Sequence, residues 1–258
     1  MSQEIRSFEV DGLKVRIFQS RLAMGQAAGQ AVAEKMKAIL KTKPRLFMVF
    51  ASAPSQNEFL DELGRSPGID WKRVTAFHLD EYVGLPEGAP QNFGQFLRVR
   101  LFEKVHPGAV HYLDGMAEDL NAECVRYSAL LETNPFDIAC IGIGENGHLA
   151  FNDPPVADFD DPQLVKVVDL DLTSRQQQVH DGCFKDLESV PKKALTLTIP
   201  AIFSARFIHC MVPAPTKAEA VKKTLEGPIT TACPASILRR HENAMLFLDR
   251  DSARQLKI

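Results

Sequence analysis

The chain contains no apolar run that approaches the roughly 20 residues needed by a membrane-spanning helix, and it has no strongly basic segment. Its 258 residues are 45% hydrophobic and 24% charged, which is enough apolar content for a full hydrophobic core. The segment 1–6 lacks the basic segment and apolar stretch of a secretion signal. We therefore expect a globular, cytoplasmic protein without a membrane partner.

Charge and cysteine content exclude further classes of protein. The net charge is −3, and basic residues cluster only in pairs such as Lys222-Lys223. We expect no nucleic-acid partner, because a phosphate backbone is bound by a larger basic patch. The five cysteines are an odd number without close spacing, which predicts neither a disulfide framework nor a cysteine-based zinc site.

Short apolar runs alternate with segments of helical spacing along the chain. Strands are predicted at 13–18, 46–51, 74–79, 110–113, 136–143, 195–199, 207–212 and 245–248, and helices at 22–40, 55–63, 93–105, 120–131 and 217–225. This alternation favours an α/β fold with an open, mostly parallel, doubly wound (Rossmann-like) sheet and helices on both faces. Neither a repeat nor a flexible linker is present, so we predict one domain over 1–258 and leave a homo-oligomer open.

The most informative segment is GIGENGHLAFNDP (142–154), which follows a predicted strand. Ligands of open α/β sheets bind at the carboxyl ends of strands. His148 could transfer protons near neutral pH, with Asn146 and Asp153 fixing its tautomer. The alternative is a structural histidine that hydrogen-bonds to the loop backbone.

Two other interpretations of this segment are weaker. The pattern Gly142-x-Gly144-x-x-Gly147 matches a dinucleotide fingerprint, which requires a helix after its last glycine. Pro154-Pro155 leaves no room for that helix, so we reject the dinucleotide site. Metal binding is also unsupported, because neither paired histidines nor cysteine spacing occurs.

A second polar segment, LDEYVGLP (79–86), follows the predicted strand 74–79. Neighbouring side chains of an extended chain point in opposite directions, so at most one of Asp80 and Glu81 should face a site. A carboxylate there could serve as a general base whose protonation is tuned by burial. The alternative is a loop carboxylate that caps the next turn.

Two helix starts are candidate phosphate sites. The segment ASAPSQNE (51–58) leads from a strand into a helix, and free helix amides with serine hydroxyls bind phosphate. An ordinary capping box from Ser55 to Glu58 explains it equally well. Lys217 lies in the first turn of another helix, where a cation is unfavourable unless an anion binds, although a solvated lysine is equally consistent.

Together these segments resemble the glucosamine-6-phosphate deaminase (isomerase) family, within the group that includes 6-phosphogluconolactonases. The specific motifs are 79–86 and 142–154, and the segments 190–196, 216–218 and 226–227 are supportive. The lactonase branch usually has arginine after its Asp-Glu pair and Ser-Leu-Phe after its Gly-His. This chain has Tyr82 and Ala150-Phe151-Asn152 at those places, so the deaminase branch is the closer match.

The resemblance implies roles for four residues. Asp80 would be the base that moves a proton between carbons 2 and 1 of the opened amino sugar. His148, aided by Asn146 and Asp153, would open the pyranose ring. The products would be fructose 6-phosphate and ammonia, the only partner a small-molecule sugar phosphate, and no metal or organic cofactor would be required.

This chain departs from the family pattern at several places. Asp153 stands where glutamate is common, Asn146 stands where many members have aspartate, and the usual glycine-containing phosphate loop is replaced by 52–56. Arg175 is our substitute for a family arginine expected upstream of 190–191. The residues that we assign to substrate or phosphate binding are Ser52, Ser55, Gln56, Gly144, Arg175 and Lys217.

Two alternatives stay open beside the deaminase. One is a hydrolase of a sugar-phosphate lactone, in which His148 would activate water. The other is a sugar-phosphate sensing module without catalysis, since related folds serve as effector domains of transcription regulators.

Overall fold

The computed structural model describes residues 4–257, which form two sheets flanked by helices. The main sheet contains β1 (Glu4–Val10), β2 (Leu13–Phe18), β3 (Leu46–Phe50), β4 (Val74–His78), β6 (Ala109–His111), β7 (Ile138–Ile141), β10 (Phe207–Val212) and β11 (Ala244–Asp249). Its order is β1-β2-β11-β10-β7-β3-β4-β6, and all neighbours are parallel except β1 and β2. The small sheet, β5 (Asp80–Tyr82), β9 (Lys193–Leu197) and β8 (Val165–Asp169), is antiparallel.

Helices cover both faces of the main sheet. They are α1 (Arg21–Leu40), α2 (Asn57–Arg65), α3 (Phe93–Leu97), α4 (Glu103–Val105), α5 (Leu120–Thr133), α6 (Leu172–His180), α7 (Ile199–Phe203) and α8 (Ala218–Glu226). Alternate side chains of β3 enter separate cores. Met48 packs in the core that contains α1 and α2, whereas Val49 packs in the core that contains α5 and α8. The predicted doubly wound, mostly parallel α/β fold is therefore confirmed.

The order of the main sheet reverses direction at β3. β4 and β6 lie on one side of β3, whereas β7, β10 and β11 lie on the other. The connections that leave β3 and β7 consequently diverge and open a crevice at the carboxyl ends of the strands. Because β4 and β10 run parallel to them, the loops that follow all four strands reach the same edge.

Several elements differ from the sequence prediction. The strand predicted at 195–199 is present as β9 but belongs to the small sheet. The sequence analysis missed five elements: β1, β5, β8, α6 and α7. The three strands are short or half-exposed, and the sequence of α6 is almost entirely polar. The helix predicted at 93–105 is α3 and α4 joined by the π-helical turn Arg98–Phe102. Within residues 4–257, no helix is long and apolar enough to cross a membrane.

The contact between α1 and α2 depends on glycine. A Cβ atom added at Gly25 would lie 2.4 Å from the Cβ atom of Glu58 and 2.9 Å from the backbone of Phe59. We expect Gly25→Ala to lower the free energy of unfolding by about 1–3 kcal/mol, because neither neighbour can move without displacing α2. Urea denaturation measures the change. The control is Gly64→Ala, whose Cβ would meet only side-chain atoms, of Leu101 at 3.3 Å and of Val105 at 3.9 Å; equal denaturation midpoints for the two variants would contradict the packing argument.

Candidate active site

A narrow cleft of about 60 Å³ lies at the crevice where the sheet order reverses. The loops after β3, β4, β7 and β10 all contribute to it. Seven of the residues predicted from the sequence line this cleft: Ser52, Ser55, Gln56, Asp80, Gly144, His148 and Lys217. Segments separated by more than 160 positions therefore meet at one site.

Asp80 enters the cleft at the start of β5, directly after the loop that leaves β4. Its backbone is held by antiparallel pairing with Thr196 of β9, and only 8% of the residue is exposed. Burial, and then the negative charge of Glu81, raise the pKa of the Asp80 carboxyl well above its usual range. A buried carboxyl group with a perturbed pKa that faces a cleft is a candidate acid or base.

Glu81 points away from the cleft, as the alternation along a strand requires. Its Oε1 atom accepts hydrogen bonds from the backbone N–H groups of Tyr82 and Phe93, both at 3.0 Å, and its Oε2 atom accepts one from Gly94 at 2.9 Å. Burial raises the pKa of Glu81 to about 7 despite these three bonds. Glu81 therefore caps the first turn of α3, and of the adjacent carboxylates only Asp80 lines the cleft.

His148 is held in the cleft by a buried carboxylate. The Nδ1 atom of His148 lies 2.9 Å from Oδ1 of Asp153, whose side chain is 1% exposed. Burial alone would raise the pKa of the Asp153 carboxyl. The hydrogen bond and charge of His148, together with hydrogen bonds from Ser174 and Asn146, outweigh burial and lower the pKa of Asp153 below its usual range. The shorter aspartate thus reaches the imidazole directly.

Asn146 supports the same pair. Its Nδ2 atom donates to Oδ1 of Asp153 at 2.8 Å, and its Oδ1 atom accepts from the backbone N–H of His148 at 3.0 Å. An aspartate at position 146 would place two carboxylates in contact at this point, which asparagine avoids by donating. Gly147 completes the turn with a φ of +90°, a conformation that favours glycine.

Gly144 lies against the imidazole ring. A Cβ atom added at Gly144 would lie 2.1 Å from the Nε2 and Cε1 atoms of His148. The Gly144 backbone N–H also donates to the carbonyl oxygen of His148 at 3.0 Å. The absence of a side chain at this position is therefore what lets the ring occupy its place in the cleft.

Lys217 and two side chains after β3 form the other part of the cleft. Lys217 is 4% exposed, and burial lowers the pKa of its ammonium group while the charges of Asp181 and Glu145 oppose that change. The buried Ser52 Oγ atom and the Oε1 atom of Gln56 have no hydrogen-bond partner among residues 4–257. A buried cation beside unpaired polar groups is suited to a polar, anionic ligand.

Arg175 is not brought to the cleft. Its guanidinium group donates to the carbonyl oxygens of Leu187 at 2.6 Å and Val190 at 3.1 Å. The side chain therefore holds the segment that precedes β9. Arg175 is not among the residues that line the cleft, so its predicted role in substrate binding has no support from the geometry.

Helix α6 contributes residues that the sequence analysis missed. Gln177 and Gln178 line the cleft, and the Oε1 atom of Gln177 accepts from the backbone N–H of Glu145 at 2.9 Å. Ser174 contacts both His148 and Asp153. The spacing 174, 177 and 178 is one helical face, and its polar composition hid it from a search for apolar periodicity.

A larger cavity, of about 410 Å³, lies behind Glu81 and contains neither Asp80 nor His148. Its size alone does not make it the site of chemistry, because the proton-transferring groups converge on the smaller cleft. Among residues 4–257, no cluster of three or more histidine, cysteine, aspartate or glutamate side chains is arranged to hold a metal ion.

Sequence comparison connects most of the chain to one family. The family model of glucosamine-6-phosphate isomerases/6-phosphogluconolactonase matches residues 19–247. A glucosamine-6-phosphate deaminase of Bacillus cytotoxicus is 33% identical over 240 residues, which cover 93% of this chain and 88% of the relative. One from Bacillus thuringiensis is 36% identical over 214 residues, which cover 83% and 79% of the two chains.

Structural comparison leads to the same group. A monomeric glucosamine-6-phosphate deaminase matches with a TM-score of 0.85 and 32% identity, covering 94% of this chain and 99% of that chain. A 6-phosphogluconolactonase from Thermotoga maritima matches with a TM-score of 0.75 and 19% identity, covering 92% and 99%. At that lower identity the second match shows a shared fold.

Proposed function

The chain belongs to the glucosamine-6-phosphate isomerase/6-phosphogluconolactonase family, and from this premise we propose that it is a glucosamine-6-phosphate deaminase of amino-sugar catabolism. It converts glucosamine 6-phosphate and water to fructose 6-phosphate and ammonia. One observation carries the proposal beyond family membership: a buried carboxyl group, Asp80, and a carboxylate-supported imidazole, His148, face one cleft with the buried cation Lys217. That set matches an acid–base isomerisation of an anionic sugar.

Ring opening is assigned to His148. With the Nδ1 hydrogen directed at Asp153, 2.9 Å away, the Nε2 atom is free to take the proton of the anomeric hydroxyl group and return it to the ring oxygen. Asp153 holds the imidazole in this tautomer and stabilises its protonated form. Asn146 keeps the carboxylate in place through its 2.8 Å hydrogen bond.

Isomerisation is assigned to Asp80. Its carboxylate removes the proton from carbon 2 of the opened sugar while the carbonyl oxygen at carbon 1 is protonated, which yields an enolamine. Asp80 then delivers its proton to carbon 1, and the amino group loses a proton, which balances the one gained by the oxygen, to give the imine. Water adds to the imine, and ammonia leaves to give fructose 6-phosphate. Burial suits Asp80 to this role, because a carboxylate with a raised pKa is a stronger base toward a carbon acid.

The substrate phosphate is assigned to Lys217, Ser52 and Ser55. Desolvation of Lys217 strengthens its attraction to a dianion, and the unpaired Ser52 hydroxyl group gains a partner when the phosphate binds. Gln56 is held by its Nε2 atom, which donates to Ser55 at 3.1 Å and to the Met211 carbonyl at 3.2 Å. Side-chain donors thus replace the glycine-rich backbone loop of the family pattern.

A lactonase is the alternative that an assay must separate from the deaminase. The structures named as 6-phosphogluconolactonases share the fold at 11–19% identity, whereas the deaminase relatives reach 33% and 36%. Incubation with glucosamine 6-phosphate should release ammonia and fructose 6-phosphate, and 6-phosphogluconolactone should be hydrolysed no faster than without protein. Turnover of the lactone alone would overturn the proposal, and tight sugar-phosphate binding without turnover would favour the sensing module.

We propose the cytoplasm as the compartment of this protein, since all five cysteines are free thiols.

The pH dependence of kcat/KM tests the assignment of Asp80. The base acts deprotonated, so activity should fall as pH falls, over a range above that of an ordinary aspartate. Glu81→Gln removes a negative charge that raises the pKa of Asp80, so the acidic limb should move to lower pH. The exposed Glu87→Gln is the matched control and should leave the profile unchanged. An acidic limb that Glu81→Gln does not move, or moves upward, would contradict the assignment.

A further inference from the structure

Ser174 occupies a position that neither the family motifs nor the catalytic assignment uses. It lies in the first turn of α6 and is 1% exposed. Its Oγ atom lies 2.8 Å from the Nδ1 atom of His148 and also donates to the Oδ1 atom of Asp153. One hydroxyl group from a separate helix therefore contacts both members of the buried pair.

The carboxylate of Asp153 is held from one side only. Its Oδ1 atom receives Asn146 at 2.8 Å, His148 at 2.9 Å and the Ser174 hydroxyl group. The Oδ2 atom is buried and has no hydrogen-bond partner among residues 4–257. The rotation of the Asp153 carboxylate about the Cβ–Cγ bond is consequently set by the three donors that converge on Oδ1, and Ser174 is one of these donors.

We propose that Ser174 is a positioning residue for ring opening, acting by holding the Asp153 carboxylate in the orientation that keeps the hydrogen of His148 on Nδ1. The inference rests on the proposed function and extends it to a residue outside the loop motif. No bond to substrate is involved. The Ser174 hydrogen is donated to Asp153, the Nδ1 hydrogen is donated to the same carboxylate, and the Nε2 lone pair is left toward the cleft.

Loss of the hydroxyl group should redistribute the imidazole hydrogen. Without Ser174, the Asp153 carboxylate can turn its unpaired Oδ2 atom toward other donors, and the contact with Nδ1 weakens. The neutral imidazole would then also populate the tautomer with hydrogen on Nε2, which cannot accept the anomeric proton. A histidine held in the wrong tautomer is known to lose catalytic power without any change of fold.

The test compares Ser174→Ala and Ser174→Cys with the wild-type protein, using the exposed Thr173→Ala of the same helix as control. Cysteine keeps the branching of the side chain, with a somewhat larger sulfur atom, but is a weak donor. We expect both Ser174 variants to lower kcat for ammonia release by about 10- to 100-fold, with KM for glucosamine 6-phosphate changed less than about threefold. Thr173→Ala should match wild type.

A spectroscopic measurement separates positioning from a merely structural role. Nitrogen-15 shifts of His148 in the free wild-type protein should show a protonated Nδ1 and an unprotonated Nε2. Both Ser174 variants should show averaged shifts, whereas Thr173→Ala, in the same turn of α6, should keep the wild-type shifts. Wild-type-like shifts, or kcat within about twofold of wild type, would overturn the inference. If the wild-type protein releases no ammonia, the proposed function fails instead, and the nitrogen shifts still decide the role of Ser174.

Discussion

Asp80→Asn should lower kcat for ammonia release by about 10²- to 10⁴-fold. The substitution preserves the shape of the side chain and its place at the start of β5, but an amide cannot remove the proton from carbon 2. Ring opening by His148 remains intact, so substrate should still bind with a KM near that of wild type. Initial rates of ammonia release measure the effect.

The matched control for this variant is Asp251→Asn, the same chemical change at an exposed position. It should leave kcat and KM unchanged. Circular dichroism and the thermal midpoint should show that Asp80→Asn is folded; removal of a buried carboxyl group with a raised pKa should even leave it slightly more stable at neutral pH. Retention of more than about a tenth of wild-type kcat would mean that another group is the base.

Gly144→Ala should lower kcat by about 100-fold although alanine carries no reactive group. Its Cβ atom would lie 2.1 Å from the His148 ring, so the ring must leave the position defined by Asp153. A displacement of about 1 Å from the reacting geometry is enough for a loss of this size. The expected signature is a low kcat together with altered nitrogen-15 shifts of His148.

Gly64→Ala serves as the control for this substitution, because it adds the same methyl group at a position that does not line the cleft and meets only the side chains of Leu101 at 3.3 Å and Val105 at 3.9 Å. It should retain wild-type kcat. Gly144→Ala should be compared at a temperature where both variants are folded. Wild-type activity in Gly144→Ala would show that the imidazole does not need its observed position.

Much of the main sheet was predictable because its strands are buried on both faces. Leu46–Phe50 is continuously apolar and Phe207–Val212 is apolar except for His209, as burial from two sides favours. The bounds of β2 and β10 match the prediction. The small sheet was not predicted as a separate unit, since β5 is three residues long and the five residues of β8 include the polar Lys166 and Asp169.

The residues of the cleft could be predicted from the sequence where several reactive side chains occur together in a short motif. Asp80 and His148 each follow a buried strand, and parallel strands bring such positions to one edge. Arg175 was selected from its place in the sequence, and the direction of its side chain depends on a loop that the sequence does not reveal. Ser174 was missed because it lies on a helix whose inner face is polar, and only the three-dimensional structure brings it to His148.

The most direct test of the account is product analysis with glucosamine 6-phosphate that carries deuterium at carbon 2. We expect fructose 6-phosphate and ammonia in equal amounts, with the deuterium transferred to carbon 1 or exchanged into solvent, and a rate at least about 100-fold lower in Asp80→Asn. Absence of ammonia together with hydrolysis of 6-phosphogluconolactone by the same preparation would contradict it.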